Sequence, residues 1–264
     1  MPLSFEDVMR VATTVSTLCM CISSLSTVIR FHLRRNVGDA AVLPYVTLWV
    51  SSHMWMLYGC VIGNIFPVFV TYAIGDTLSV VFLAVYIRWT ANRRAAIKTC
   101  AIALLWIVAV TTYVVLCKTE VLQQSQQTLS LVMGIIGTSC SLVLYASPLA
   151  AIKVVLQTRS SAPLPFALIL AGTINNLMWV VYGATVPDLF MVIPSAVSAG
   201  IGFIQLALCG VFHPSRSAAG DIVTSVLPCE SPNGELPKCR YSIMESATPL
   251  PVAYKRQEKM EVAV

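Results

Sequence analysis

The chain has 264 residues, of which 57% are apolar and 11% are charged, and its mean hydropathy is +0.78. A soluble domain normally carries about a quarter of its residues as Asp, Glu, Lys or Arg, so this composition excludes an ordinary soluble protein. The net charge of +5 comes mostly from short clusters between apolar runs, and we expect no nucleic-acid partner. The composition predicts an integral protein of the lipid bilayer.

Seven apolar runs follow one another, each close to the roughly 20 residues that cross a bilayer as a helix. They are Val8–Ile29, Pro44–Ile62, Phe66–Ile87, Ala96–Leu116, Leu129–Val155, Pro165–Tyr182 and Leu189–Phe212. The fifth run is longer than one span needs and could tilt or kink at Pro148. From position 213 the chain mixes Pro, Ser, Glu and Lys, which predicts a disordered cytoplasmic tail over 213–264.

Basic residues mark one side of the predicted membrane protein. They are Arg30, Arg34 and Arg35 after the first run, Arg88, Arg93, Arg94 and Lys98 after the third, and Lys153 and Arg159 near the end of the fifth. Segments rich in Lys and Arg stay on the cytoplasmic side. We therefore expect the N-terminus outside and the C-terminus in the cytoplasm, and we predict the plasma membrane as the location.

The chain contains an internal repeat. The second run begins at Pro44 and contains W-x-x-Y-G over 55–59, and the sixth begins at Pro165 and contains the same pattern over 179–183. In both copies the basic segment precedes the proline, so both cross the bilayer in the same direction. Two three-helix units of like orientation need one helix between them.

The predicted fold is therefore an all-α membrane protein with seven transmembrane helices, arranged as a 3+1+3 parallel repeat of triple-helix bundles. The first bundle is expected over 6–90, the linker helix over 95–117 and the second bundle over 128–212.

Each repeat carries a stripe of polar and aromatic residues on one helix face, since positions i, i+4 and i+7 lie together. The stripes are Ser51, Trp55 and Tyr58 in the first copy and Asn175, Trp179 and Tyr182 in the second. Sugar rings bind to such surfaces, with the C–H face on an aromatic ring and the hydroxyls on amides and hydroxyls. Polar groups are costly against lipid, so we expect both stripes to face the bundle interior and bind solute.

Prolines lie within or at the start of several spans, namely at Pro44, Pro148, Pro165 and Pro194. Each removes a backbone donor and loosens its helix. Where such breaks face one another they are natural hinges for alternating access.

The order of motifs in the second half resembles the second repeat of the SWEET (MtN3/saliva) family of sugar transporters. The matching residues are Tyr145-Ala146-Ser147-Pro148-Leu149, Gln157-Thr158-Arg159-Ser160, Leu164-Pro165-Phe166, Asn175, Trp179, Tyr182-Gly183, Asp188, Ile193-Pro194 and Gln205-Leu206. The first repeat matches through Pro44-Tyr45, Trp55, Tyr58-Gly59 and Gly75. The resemblance covers about residues 6–212.

The resemblance implies a passive, bidirectional carrier of mono- or disaccharides that works by alternating access, often as a homotrimer. It places Trp55 and Trp179 in the substrate pocket. The two positions that carry asparagine in the family fall on Tyr72 and Ser195, and Asn175 or Asn176 could supply an amide instead. The family's cytoplasmic-side gate of four prolines matches Pro44, Pro148 and Pro165, while its first member falls on Ser24, and the outer gate matches Tyr58 and Asp188.

Two further polar residues lie within predicted spans. Asp76, one turn after Tyr72, could couple proton binding to transport, because an intramembrane carboxylate is a functional candidate. The alternative is a hydrogen bond to a neighbouring helix, and for His53 such a bond is the favoured interpretation.

Two other functions stay open at this point. A seven-helix receptor is one, although helix seven has no lysine and Arg88-Trp89 follows no acidic residue. A PQ-loop carrier of amino acids or another small polar solute is the other, although no Pro-Gln dipeptide begins a span. We expect no enzyme, since H-E-x-x-H, G-x-S-x-G and paired intramembrane aspartates are missing, and no cofactor or metal site, since no Cys/His cluster has metal-ligand spacing.

Overall fold

A computed structural model of the chain describes residues 4–38, 40–161 and 164–212, without the side chains of Ser23 and Ser24. The predicted tail over 213–264 lies outside these residues. Eight α-helices and one π-helical turn make up the described part, in which no strand occurs. In chain order they are α1 (Phe5–Arg34), α2 (Leu43–Val61), the π-helical turn Ile65–Phe69, α3 (Val70–Trp89), α4 (Arg93–Lys118), α5 (Gln126–Leu144), α6 (Ala146–Thr158), α7 (Phe166–Thr185) and α8 (Leu189–Val211).

The helices have the length and composition that a bilayer requires. Six described segments are long and apolar enough to cross a membrane, counting the π-helical turn with α3 and α5 with α6 as single spans. The remaining predicted span is α2, the second in chain order. It has 19 residues and is less apolar than the other six, because Ser51, Ser52 and His53 interrupt it. It packs against α3, α4 and α5, so neighbouring helices shield these polar groups from lipid. The predicted all-α architecture is confirmed.

The long fifth run is broken close to its proline. Helix α5 ends at Leu144 and α6 begins at Ala146. Pro148 has no N–H to donate to the carbonyl of Leu144, and its ring crowds that carbonyl. The helical ladder therefore breaks about one turn before the proline.

The two halves have the same internal arrangement. In the first half α3 contacts both α1 and α2, and in the second half α8 contacts α5, α6 and α7. Between the halves, α1 contacts α7 and α2 contacts α5. Because α1 corresponds to α5–α6 and α2 to α7, these are two copies of one contact, as expected for a pseudo-two-fold axis along the membrane normal. Helix α4 lies against α2 and α3.

The glycine of each W-x-x-Y-G copy lets the next helix approach closely. A Cβ at Gly59 would lie 2.7 Å from the backbone nitrogen of Phe69 and 2.9 Å from the side chain of Val68. At Gly183, a Cβ would lie 2.9 Å from the side chain of Val192. The repeated glycine therefore has a packing reason.

We predict that Gly59→Ala lowers the free energy of unfolding by about 1–3 kcal/mol, the usual cost of overpacking. Thermal unfolding of the purified protein in detergent measures this. Gly200→Ala on α8 is the matched control, because a Cβ there meets open space and alanine favours the helix. Equal midpoints for the two variants would contradict the close-packing account.

Candidate functional site

A central cavity of about 590 Å³ lies where the two halves meet. Side chains of α1, α2, α3, α5, α6, α7 and α8 line it. All seven residues predicted to bind substrate are among them: Ser51, Trp55, Tyr72, Asn175, Asn176, Trp179 and Ser195. Trp55 and Trp179 are only 4% and 3% exposed, so neither belongs to an aromatic belt at the membrane surface.

The two indoles are held by equivalent hydrogen bonds across the pseudo-two-fold axis. The Nε1–H of Trp55 donates to Ser141 Oγ of α5 at 2.9 Å, and the Nε1–H of Trp179 donates to Thr17 Oγ1 of α1 at 3.1 Å. A Cβ at Gly137 would lie 3.4 Å from the Trp55 ring, so glycine leaves room for the indole there. Both N–H groups are thus engaged within the protein, and each indole presents its ring to the cavity.

Tyr72 of α3 lies between the two indoles. Its ring stacks on Trp55 with centroids 5.8 Å apart and an interplanar angle of 21°. On its other side the centroid of Trp179 is 5.4 Å away at 34°. The three rings form one layer across the cavity.

Two neighbouring amides of α7 offer complementary groups to the cavity. The Asn175 carbonyl oxygen accepts from Ser16 Oγ at 2.9 Å and Thr17 Oγ1 at 2.7 Å, and its NH₂ group faces the Met20 sulfur at 3.8 Å. The Asn176 NH₂ group donates to the Gly172 carbonyl at 2.7 Å. Asn175 can therefore donate to a solute and Asn176 can accept from one.

The cavity extends to the end of the molecule that carries the basic residues, which we call the basic end. Three of the predicted gate residues line it there: Pro44, Pro148 and Pro165. The fourth, Ser24, has its side chain outside the described part. The Tyr145 hydroxyl, next to the break between α5 and α6, donates to the Pro194 carbonyl at 2.5 Å, and the Gln205 amide donates to the Pro148 carbonyl at 3.3 Å.

Two hydrogen bonds join the halves at the opposite end, which we call the Asp188 end. The Tyr58 hydroxyl donates to Asp188 Oδ2 at 2.8 Å, and the Asn64 Nδ2 group donates to the Tyr182 hydroxyl at 2.7 Å. Beyond them is a vestibule of about 840 Å³. The predicted outer-gate pair is thus brought together, and Tyr182, which is fully buried, joins the second bond.

Sequence reasoning missed Asn64 as a gate residue, although a signal was present. Asn64 follows Tyr58 by the same spacing as Asp188 follows Tyr182. Each tyrosine therefore bonds to the residue that precedes the third helix of the other half. Asp188 has a second role, because its Oδ1 accepts from the backbone N–H of Phe190 at 2.9 Å and caps α8.

The intramembrane carboxylate lies away from the cavity, in contact with a histidine of α2 that in turn contacts α4. Asp76 Oδ2 is 3.4 Å from His53 Nδ1, and His53 Nε2 is 3.0 Å from Thr111 Oγ1. Asp76 Oδ1 has no hydrogen-bond partner among the described residues. Neither Asp76 nor His53 lines the cavity.

Comparisons with known proteins bear on both sequence and fold. A family model described as "Sugar efflux transporter for intercellular exchange" matches residues 7–94 and 131–217, one copy in each half. The "Sugar transporter SWEET1" of Drosophila pseudoobscura pseudoobscura is 26% identical over 214 residues, which cover 81% of this chain and 92% of that protein. The "Bidirectional sugar transporter SWEET7" of Arabidopsis thaliana is 27% identical over 204 residues, which cover 75% of this chain and 77% of that protein.

A solved structure, described as that of a eukaryotic SWEET transporter, matches with a TM-score of 0.66 and 21% identity. The match covers 79% of this chain and 99% of the solved one. At this identity the likeness shows the fold. It supports the arrangement of two three-helix halves around a linker helix.

Proposed function

The chain belongs to the MtN3/saliva family of sugar efflux transporters, and from this premise we propose that it is a membrane carrier that moves mono- or disaccharides passively and in both directions. The names of its relatives, sugar transporter and bidirectional sugar transporter, support this function. They do not favour a receptor or a carrier of amino acids, and membership in a transporter family points away from an enzyme.

One observation carries the proposal: the paired indoles and the amides of α7 line a single cavity at the junction of the two halves. A volume of about 590 Å³ is within the usual range for small-molecule sites, roughly 300–1,000 Å³. Aromatic faces suit the C–H face of a sugar ring, while Asn175 and Asn176 offer a donor and an acceptor to its hydroxyls. Tyr72, Ser51 and Ser195 complete the proposed substrate site.

The difference between the two ends of the cavity supports alternating access. The Tyr58–Asp188 and Asn64–Tyr182 bonds close the Asp188 end, whereas the cavity extends to the basic end. We assign Pro44, Pro148, Pro165 and the position of Ser24 to the gate at the basic end, and Tyr58 and Asp188 to the gate at the Asp188 end. We call the Tyr58–Asp188 and Asn64–Tyr182 bonds the two latches. Exposing the cavity to the other side requires the two latches to open and the basic end to close.

Topology and assembly are part of the proposal. We place the N-terminus outside and the basic end and the C-terminus in the cytoplasm, with charge bias as the support. The plasma membrane is proposed as the location. The units are the bundle over 6–90, the linker helix over 95–117, the bundle over 128–212 and the tail over 213–264. A homotrimer is proposed on the family resemblance, and cross-linking in native membranes tests it.

Uptake into proteoliposomes tests the function. We expect the purified protein to equilibrate radiolabelled glucose or sucrose across the bilayer without accumulating it, and to do so in both directions. Empty liposomes are the control. Failure to move any hexose, pentose or sucrose would remove the proposal.

Removing the amide of Asn175 should weaken sugar binding. We predict that Asn175→Leu raises the half-saturating sugar concentration about tenfold, because hydrogen bonds made in a buried site are lost. Concentration-dependent uptake measures the change. The control is Thr99→Val at the start of α4, whose hydroxyl donates to the Ala95 carbonyl at 3.0 Å away from the cavity. Equal half-saturating concentrations for both variants would show that Asn175 does not bind the sugar.

Transport should not require a proton from Asp76, because the His53–Asp76 contact joins helices outside the cavity. We predict that Asp76→Asn keeps downhill sugar flux within about twofold of the wild type, since an amide can still bond to His53. A pH-sensitive dye inside the liposomes should show no proton entry with sugar. Sugar-dependent acidification that Asp76→Asn abolishes would instead establish coupling.

A further inference from the structure

The Tyr72 ring fills the space in which a flat ring would stack between the two indoles. The plane of the Tyr72 ring makes an angle of 21° with the Trp55 ring and 34° with the Trp179 ring. The inner faces of both indoles are therefore covered by an aromatic side chain of the protein. These are the faces that a sugar ring needs if it is to lie between the two halves.

Tyr72 breaks the pseudo-two-fold symmetry of the site. The indoles, their hydroxyl partners and the two latches all occur in pairs. The position on α8 that corresponds to Tyr72 carries Ser195, and both residues line the cavity. Tyr72 lies one residue further from Asn64 than Ser195 lies from Asp188, and the π-helical turn before α3 accommodates that extra residue. One ring therefore occupies a site built by two equal halves.

Of the three rings, Tyr72 is the one that no hydrogen bond to another described residue holds in place. Each indole is fixed by a hydrogen bond, to Ser141 or to Thr17. Among the described residues Tyr72 forms no hydrogen bond, and it is held by its two ring contacts and by packing against the buried core around the indoles. It also borders the cavity, into which a rotated side chain can move.

We propose that the Tyr72 ring is an internal occupant of the stacking site, which a pyranose ring must displace in order to bind between Trp55 and Trp179. This inference rests on the proposed carrier function and extends it, because it makes Tyr72 the residue that sets sugar affinity. Each bound sugar replaces two aromatic contacts that the empty protein already has. The apparent affinity is therefore lower than the two indoles alone would give.

The test compares three full-length proteins in proteoliposomes: wild type, Tyr72→Phe and Tyr72→Ala. Equilibrium exchange of radiolabelled D-glucose gives the half-saturating concentration. We expect Tyr72→Ala to lower it roughly tenfold, which corresponds to about 1.4 kcal/mol and lies within the range expected for the two aromatic contacts of the tyrosine. Tyr72→Phe should leave it near the wild-type value, because the ring is kept. If alanine prevents folding, Tyr72→Ser, which carries the residue of the other half, replaces it.

The outcomes distinguish a failure of the displacement proposal from a failure of the carrier function. Unchanged or weaker binding by the folded alanine or serine variant, in a protein that exchanges glucose, overturns the displacement proposal and leaves the carrier function standing. If Tyr72→Ala exchanges glucose while the wild type and Tyr72→Phe do not, the result supports the displacement proposal, because the tyrosine ring then prevents binding altogether. Absence of exchange of glucose and sucrose in all three proteins overturns the carrier function, and the proposal with it.

Discussion

Replacing Trp179 by alanine is expected to lower the rate of sugar equilibration at least tenfold. The indole supplies one of the two aromatic faces of the cavity, its N–H holds Thr17, and its ring packs on Tyr72. Truncation removes the stacking surface and leaves a void beside Asn175. A tenfold lower rate corresponds to a loss of roughly 1.4 kcal/mol of interaction with the sugar, which is about the contribution of one aromatic contact.

Trp106→Ala is the matched control, because Trp106 lies on α4 and is 48% exposed. It removes the same side chain from a helix that does not line the cavity. Proteoliposome uptake at equal amounts of folded protein compares the two variants. If Trp179→Ala retains more than half of the wild-type rate, or if both variants lose the same amount, the indole pair is not the substrate site.

The second large effect is expected from removing both latches together. Tyr58→Phe and Tyr182→Phe delete the hydroxyls that bond to Asp188 and Asn64. Each bond contributes about 1 kcal/mol, so the double variant should shift the equilibrium toward opening at the Asp188 end roughly 30-fold. The cavity should then become accessible from that side.

The accessibility of the cavity is measured with a Ser51→Cys substitution, in a protein whose nine native cysteines are replaced by serine. The rate of its alkylation by a membrane-impermeant reagent is the readout. Tyr113→Phe is the control, because it deletes a comparable bond, from Tyr113 to Gln124 Oε1 at 2.6 Å, that does not join the halves. We expect faster labelling from the Asp188 end in the double variant only. Labelling at the control rate would show that the two tyrosines do not hold the cavity closed.

The sequence predicts the fold well because its signals are local and repeated. Apolar runs set the helices, and the period of the helix places Ser51 and Trp55 on one face, as it places Asn175 and Trp179. Repetition of W-x-x-Y-G shows which faces are equivalent. All the predicted substrate residues accordingly line one cavity, although their roles remain a prediction.

What the sequence does not predict depends on packing between distant helices. Ser141 and Thr17 are ordinary hydroxyl residues of membrane helices, and their own segments do not reveal that they hold the indoles. The position of the Tyr72 ring depends on the π-helical turn and on the spacing of two helices from different halves. The bond between Asn64 and Tyr182 could be predicted once the pseudo-two-fold axis is known, because Asn64 follows Tyr58 by the same spacing as Asp188 follows Tyr182.

The central claim is that sugar binds in the cavity between the halves, against the paired indoles. A structure of the purified protein with bound glucose tests it most directly. The account predicts a sugar ring in contact with Trp55 or Trp179 and within hydrogen-bonding distance of Asn175. A sugar bound only in the vestibule beyond Asp188, with the central cavity empty, would contradict it.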